Sequence, residues 1–188
     1  MRFFIGVAAL ALASGGALSA QNLVVNGGFE AGDWTGWTIS QPYGMRVFDA
    51  TSEDATIHSG SFTAGLGSTP ATDLSQTLAT VAGQTYELSY WLQVRTSTPP
   101  NDEFIATIGD QTLFSGTNLP ETNDYTEYSY VFVALSDSTT LTFTSYDPPS
   151  YFYLDDVSVT AVPEPSTCAA FAGLAVLGLC LVRRRFRR

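Results

Sequence analysis

The chain has 188 residues, of which 45% are hydrophobic, and a formal net charge of −10 at neutral pH. All eight basic residues are arginines, but only Arg46 and Arg95 lie between positions 21 and 162, together with 17 of the 18 acidic residues. This stretch therefore has a net charge of about −15, which repels nucleic acid and excludes nucleic-acid binding as its function.

The first 20 residues have the layout of a secretory signal peptide. Arg2 precedes an apolar stretch over residues 3–12, and small residues follow it. This is the order of the basic, hydrophobic and cleavage regions of such signals. We expect export of the protein and cleavage after Ser19 or Ala20.

Residues 21–161 lack helical periodicity and contain many short runs rich in Thr, Val, Tyr and Phe. The clearest run is TYELSYWLQV at 85–94, whose alternation predicts a strand with one core face and one polar face. Nine similar runs are NLVV, MRVFDA, SFTAGLG, LSQTLAT, EFIATIG, QTLFSG, EYSYVFVAL, TTLTFTSY and YFYLDDVSVT. EFIATIG and QTLFSG, joined at Gly109 and Asp110, predict a hairpin. The pattern predicts one all-β domain, an antiparallel β-sandwich or jelly roll.

The domain has no cysteine with which to form a disulfide. Cys168 and Cys180 are the two cysteines of the chain, and both lie in its terminal apolar run. A domain of about 140 residues can bury a sufficient core without disulfides.

The last 27 residues differ from the domain in composition. A motif of six residues begins this segment: Val162, Pro163, Glu164, Pro165, Ser166 and Thr167. The apolar stretch 168–182 follows, and as a helix it would be about 22 Å long, which predicts a single C-terminal transmembrane helix when flanking arginines snorkel. Five arginines end the chain: Arg183, Arg184, Arg185, Arg187 and Arg188. They predict that this end stays in the cytoplasm and the acidic domain lies outside.

This order of motif, apolar helix and arginines resembles the PEP-CTERM sorting signal of bacterial exported proteins. The resemblance implies that an exosortase, a membrane-embedded processing enzyme, recognises the chain at or near Pro163, Glu164 and Pro165. The inner membrane would then hold the chain only transiently. The alternative is a permanent tail anchor in which the Pro-Glu-Pro is accidental.

Three segments of the domain, NLVVNGGFEAGDWTGWTIS, LSQTLATVAGQTYELSYWLQV and YFYLDDVSVTAV, resemble jelly-roll, galactose-binding-like modules, which include several carbohydrate-binding families. The resemblance implies a structural calcium ion where the amino-terminal segment meets the last strand. Its ligands would be Glu30 and Asp155 or Asp156, with Asn26 and Asp49 as further oxygen donors. The alternative is a tight turn at 26–28 beside solvated acids.

Five aromatic residues are candidates for stacking against sugar rings. Trp91 shares the polar face of its strand and is either covered by a loop or exposed as a platform. Trp34 and Trp37 either bind sugar or close one end of the sandwich. Tyr146 and Tyr151 lie where a loop enters the last strand.

Catalysis has little support in the sequence. His58 is the single histidine, and no catalytic motif accompanies it. Because acidic residues are abundant, close pairs of carboxylates are expected by chance and do not indicate glycoside hydrolysis. We therefore expect a protein that is not an enzyme.

The sequence predicts a signal peptide at 1–20, a sandwich at 21–161 and a sorting signal at 162–188. The processed protein would remain on the cell surface or in an extracellular matrix and associate with exopolysaccharide through its carbohydrate-binding-like sandwich. Two alternatives are a purely structural matrix or biofilm protein without a discrete ligand and an enzyme that acts on polysaccharide.

Overall fold

A computed structural model of the chain describes residues 21–53, 55–67, 69–95 and 101–163. These residues form ten β-strands in two five-stranded antiparallel sheets, which confirms the predicted all-β sandwich. The predicted signal peptide and the predicted membrane helix over 168–182 lie outside the described residues. In the part of the chain that the structure describes, no helix is long and apolar enough to cross a membrane.

The strands are β1 (Thr38–Ile39), β2 (Met45–Asp49), β3 (Phe62–Leu66), β4 (Thr72–Ala79), β5 (Thr85–Val94), β6 (Glu103–Ile108), β7 (Gln111–Thr117), β8 (Thr126–Val133), β9 (Ser138–Tyr146) and β10 (Phe152–Ala161). Sheet A has the order β1-β4-β9-β6-β7, and sheet B has the order β2-β3-β10-β5-β8. The predicted hairpin is confirmed as β6 and β7, which pair antiparallel around Gly109. β1 was not predicted, because two residues are too few to show alternation.

The core lies between the two sheets. The alternation predicted for β5 is confirmed, because its alternate apolar residues are all buried: Tyr86, Leu88, Tyr90, Leu92 and Val94. Large rings fill the middle, with Tyr90 edge-on to Phe143 at a centroid distance of 5.2 Å and Phe104 edge-on to Phe152 at 5.3 Å. Full burial of each such side chain stabilises the fold by about 2 kcal/mol.

Residues 22–25 (NLVV) form no strand, so this prediction was wrong. One backbone hydrogen bond ties the segment to β10, from the Leu23 N–H to the Val159 carbonyl oxygen at 2.8 Å, and side-chain amides supply further contacts. Asn22 Oδ1 accepts the Val159 N–H at 2.9 Å, and the Gln76 side chain binds both backbone polar groups of Val25, at 2.7 and 3.0 Å. The segment is therefore bound to both sheets without joining either.

Candidate functional site

A second hydrophobic cluster lies on the outside of sheet B, separate from the core, and we call it the aromatic face. Its aromatic members are Phe48, Trp91, Tyr125, Tyr151 and Tyr153. It arises from strand alternation, because residues that neighbour the buried core positions of β2, β5 and β10 point outward. Trp91 and Tyr151 are half-buried, whereas the other three rings are buried.

Three rings pack together at one end of the aromatic face. Phe48 is edge-on to Tyr151 and to Tyr153, with centroids 5.3 and 5.6 Å away, and Tyr151 lies 6.0 Å from Tyr153. Gly65 of β3 makes this packing possible, because a Cβ there would overlap the Phe48 ring and lie 3.1 Å from Tyr151. The rings therefore rest directly on the backbone of β3.

A loop covers part of Trp91. The imidazole of His58 stacks on the indole, with centroids 3.9 Å apart and planes 19° apart. The same imidazole lies edge-on to Tyr125 at 5.3 Å, and its Nδ1 is 2.6 Å from Asp156 Oδ2. The structure thus places a loop against Trp91 while leaving the side chain partly exposed.

Tyr125 fastens this loop to the sheet. Its hydroxyl lies 2.8 Å from the Thr56 carbonyl oxygen and 2.8 Å from Thr63 Oγ1. Burial raises the pKa of the Tyr125 phenol, since a buried phenolate would lose its hydration, and the nearby negative charge of Asp155 acts in the same direction. The phenol therefore remains a neutral hydrogen-bonding group that holds residues 55–60 beside Trp91.

Charged side chains flank the aromatic face. The Arg46 guanidinium lies 5.0 Å from the centroid of the Phe48 ring, which is a cation–π geometry. Arg95, at the end of β5, donates its N–H to the Tyr151 carbonyl oxygen at 3.4 Å. The backbone of Arg95 thus binds that of Tyr151 at one end of the aromatic face. Glu127 of β8, which is exposed, lies opposite Trp91 in the sheet.

The structure brings Glu30, Asp155 and Asp156 together where the amino-terminal segment meets β10. A Cβ at Gly28 would lie 3.3 Å from Asp156 Oδ1 and 3.7 Å from both Asp155 Oδ1 and Glu30 Cγ. Asp156 lies within the register shift of β10 between Asp155 and Ser158, and its φ is 48°. Burial raises the pKa of the Asp155 carboxyl to about 7, although the His58 N–H donates to it at 3.2 Å.

The oxygen chemistry of this acidic group fits calcium, and Gly28 leaves space between two of the carboxylates. Glu30 also accepts the N–H groups of Ser61 at 2.9 Å and Phe62 at 3.1 Å. Within the described ranges, no three His, Cys, Asp or Glu side chains are grouped so as to hold a metal ion by themselves. A calcium ion there would need backbone carbonyl oxygens as well, and the calcium site stays a prediction.

Asn26 and Asp49, the further candidate oxygen donors, bind their own loops. Asn26 Nδ2 donates to the carbonyl oxygens of Asp33 and Thr35, both at 3.1 Å. Asp49 Oδ1 accepts the N–H and the hydroxyl of Thr51 at 2.9 and 2.6 Å, which lowers the pKa of this exposed carboxyl.

The other candidate sugar-binding aromatic residues lie away from the aromatic face. Trp37 is buried in the core and stacks on Phe29 at 5.7 Å, and Trp34 packs edge-on against the same ring at 5.8 Å. Both tryptophans therefore close one part of the core. Tyr146 ends β9 in sheet A and lies opposite Glu103, whereas Tyr151 joins Trp91 in the aromatic face.

The sorting motif begins where the sandwich ends. The Val162 N–H donates to the Thr85 carbonyl oxygen at 2.9 Å, and Gln84 Nε2 donates to the Val162 carbonyl oxygen at 3.1 Å. Pro163 follows and is exposed. Glu164, the rest of the motif and the terminal arginines lie outside the described residues.

A pocket of about 200 Å³ lies elsewhere on the sandwich, beside the β6–β7 turn. Its lining includes Ile108, Phe132 and Leu135. None of its lining residues belongs to the aromatic face, so the two features are separate.

The sequence did not identify Phe48 and Tyr153 as members of the aromatic face, nor the contact of His58 with Trp91. The spacing of Tyr151, Tyr153 and Asp155 contains a usable signal, because alternate residues of a strand share a face. The contact between His58 and Trp91 joins residues 33 positions apart through a loop, so no local pattern indicates it.

Two family models match the chain. Residues 21–150 match the model of a carbohydrate binding domain, and residues 161–188 match the model of the PEP-CTERM protein-sorting motif. No curated protein matches the chain.

Several solved structures have a similar fold. TmCBM61, in complex with β-1,4-galactotriose, is 15% identical, with a TM-score of 0.56, and the alignment covers 76% of this chain and 100% of that one. The CBM22-1 and GH10 modules of Clostridium thermocellum xylanase 10B, complexed with xylohexaose, give 15% identity, a TM-score of 0.54 and coverages of 76% and 29%. The Stig cyclase Fisc from Fischerella sp. TAU is 19% identical, with a TM-score of 0.50, and the alignment covers 77% of this chain and 99% of that one. These similarities show the fold alone, which occurs in proteins of different function.

Proposed function

Because the chain belongs to the carbohydrate-binding domain family whose model matches residues 21–150, we propose that it binds polysaccharide on its aromatic face, without catalysis. The observation that carries the proposal is the position of Trp91 and Tyr151, two half-buried rings on the outside of a sheet. Aromatic rings pack against the apolar faces of sugars, and neighbouring polar groups bind sugar hydroxyls.

The charged neighbours of the two rings support this assignment. Glu127 can accept hydrogen bonds from hydroxyls of a sugar on Trp91, because it lies opposite Trp91 in the sheet. Arg46 can donate hydrogen bonds near Tyr151, because its guanidinium lies over Phe48. An extended glycan could thus contact both rings and both charged groups across sheet B.

The match of residues 161–188 to the sorting motif supports a proposed route to the cell surface. The signal at 1–20 would direct export, and the helix at 168–182 would hold the chain in the inner membrane with its arginines in the cytoplasm. An exosortase would then process the chain at or near Pro163, Glu164 and Pro165. The released sandwich, residues 21–161, would stay on the cell surface or in the exopolysaccharide matrix.

The proposed calcium ion would be held by Glu30, Asp155 and Asp156 together with backbone oxygens. Bound there, it would supply positive charge to a group of acids that includes the buried Asp155. Its role would be structural, because Glu30 already binds the loop at Ser61 and both aspartates belong to β10.

The polysaccharide proposal is tested by titrating the full-length chain, purified in detergent, with β-1,4-galactotriose, xylohexaose and exopolysaccharide from the exporting cells. Calorimetry should detect binding to at least one probe. Trp91→Ala and Tyr151→Ala should each weaken it about tenfold or more, which corresponds to about 1.4 kcal/mol.

Tyr146→Ala is the matched control, because it removes a half-buried tyrosine from sheet A and should leave affinity unchanged. Silence with every probe, or equal loss in the control, would contradict the proposal and favour the purely structural matrix protein. Release of reducing sugar would instead favour the enzyme alternative.

A further inference from the structure

Two aspartates that no prediction singled out lie next to each other at one end of the sandwich. Asp102 immediately precedes β6 and Asp147 immediately follows β9. These strands pair with Glu103 opposite Tyr146 and Phe104 opposite Ser145, so the next step of the register places the two aspartates side by side. Both continue the alternation of inward-facing residues in β6 and β9. Asp102 is only 2% exposed and Asp147 only 1% exposed.

Most side-chain oxygens at this position lack hydrogen-bond partners within the described residues. Asp102 Oδ2 accepts the Leu119 N–H at 3.0 Å. In the described part of the chain, Asp102 Oδ1, both carboxylate oxygens of Asp147 and the Ser145 hydroxyl have no hydrogen-bond partner. Ser145 is fully buried and belongs to the same inward-facing series as Asp147. Four buried oxygen atoms are thus unsatisfied in one region.

These buried and unsatisfied oxygen atoms require a cation or hydrogen-bond donors to compensate them. Buried carboxylates are strongly unfavourable unless a cation or hydrogen-bond donors compensate them. Neither of the two arginines that the structure describes, Arg46 and Arg95, forms an ion pair with these aspartates. Native structures leave few buried polar groups unsatisfied, and a missing ion or water is a common explanation.

A bound proton meets this requirement less completely than a divalent cation. A proton would neutralise one carboxylate and leave the Ser145 hydroxyl without a partner. A divalent cation would neutralise both carboxylates and can use carboxylate and hydroxyl oxygens as ligands.

We propose that Asp102, Asp147 and Ser145 form a calcium site at this end of the sandwich, separate from the site predicted at Glu30, Asp155 and Asp156. Calcium suits it better than magnesium, because calcium tolerates six to eight oxygens in irregular geometry, including a bidentate carboxylate. Backbone oxygens or water would complete the coordination.

This cation would also act on the aromatic face. Asp147 begins the β9–β10 connection, and Tyr151 ends it. A cation bound to Asp147 would fix the first residue of that connection and so restrict the position of the Tyr151 ring. The effect on sugar binding through the Tyr151 ring rests on the proposed function, whereas calcium binding itself does not.

The test is equilibrium dialysis of the full-length chain with calcium, without glycan. Asp147→Asn keeps the shape of the side chain and should bind one calcium fewer per chain than the wild type. Asp110→Asn removes an exposed acid in the β6–β7 turn and should bind as many as the wild type. Equal calcium numbers in Asp147→Asn and the wild type would overturn the proposal.

Thermal unfolding provides a second measurement. Calcium should raise the melting temperature of Asp147→Asn by less than it raises that of the wild type, relative to EDTA. Ser145→Ala retains both charges and should bind the same number of ions with severalfold lower affinity at one site. If Asp147→Asn does not fold, an unchanged calcium affinity in Ser145→Ala overturns the site; equal stabilisation by magnesium overturns its calcium preference.

Discussion

His58 lies flat against Trp91, with ring centroids 3.9 Å apart, and its Nδ1 lies 2.6 Å from Asp156 Oδ2. One imidazole therefore connects the aromatic face to the acidic group of Glu30, Asp155 and Asp156. The position of the loop at 55–60 and the exposure of Trp91 depend on the same side chain.

We expect His58→Ala to expose one face of Trp91 and to lower the free energy of unfolding by about 1 kcal/mol, the value of an aromatic stacking contact. Urea unfolding measures the stability, and a red shift of tryptophan emission reports the exposure. In a Trp91→Phe background the same substitution should produce no red shift. Unchanged emission in the single variant would show that the loop does not cover the indole.

Gly65→Ala should disrupt the aromatic face, because the added Cβ would overlap the Phe48 ring and approach Tyr151. We expect a loss of about 1–3 kcal/mol in unfolding free energy, as for other overpacked sites, and an altered near-ultraviolet circular dichroism spectrum. Gly83→Ala is the control: its φ of 83° makes alanine unfavourable by about 1 kcal/mol, but nothing lies within 4 Å of the added atom. A spectrum that changes only in the control would contradict the packing described for β3.

Gln76→Ala should detach Val25 from β4, since the Gln76 amide satisfies both backbone polar groups of Val25. Leaving these groups unpaired should lower the unfolding free energy by about 2 kcal/mol and increase hydrogen exchange at the Val25 N–H. Thr77→Ala, at the next and exposed position of β4, should change neither. Protection of the Val25 N–H that survives Gln76→Ala would show that another group binds it.

Stability should fall as pH rises from 5 to 8 when EDTA is present. The pKa values of Asp147 and Asp155 are raised from 3.8 to about 7, mainly by burial, so the folded state holds these protons more tightly than the unfolded state. Their favourable contribution is present below about pH 4 and is lost as pH approaches 7. The urea midpoint should therefore be higher at pH 5 than at pH 8. Asp147→Asn should reduce this difference, and an equal or larger difference in the variant would contradict the assignment.

Processing at the tail predicts a mass change that depends on the exosortase. Cells with the enzyme should yield a shorter chain, with its new end at or near Pro163, Glu164 and Pro165. Cells without it should retain the segment 168–188. Substituting the two prolines and the glutamate by alanine should abolish the mass change, with Thr160→Ala as control. An intact tail in both cell types would indicate a permanent anchor.

The strands were predictable because their pattern is local. The alternation in β5 identifies its buried face, and the Gly109–Asp110 dipeptide locates the β6–β7 hairpin from adjacent residues alone. The segment 22–25 has the apolar character of a strand but forms none. Its actual state depends on Asn22 and Gln76, whose partners the local sequence does not indicate.

The functional surfaces were harder to predict, because they depend on which strands become neighbours. Tyr151 and Trp91 were identified from single strands, but their common cluster requires β10 to lie beside β5. Asp102 and Asp147 are 45 positions apart and meet only through the register of β6 with β9. Acids are too abundant in the chain for their positions alone to indicate such a pair.

β10 also sets a distance. Tyr151 lies just before its first residue and Val162 just after its last, so the two are separated by about 35 Å at the rise of an extended strand. On the proposed sorting route, Val162 is where the membrane segment joins the sandwich. On the proposed function, the Tyr151 ring would then stand about 35 Å from that junction and Trp91, which lies opposite Asp155, about 23 Å from it, within reach of polymer strands that never touch the bilayer.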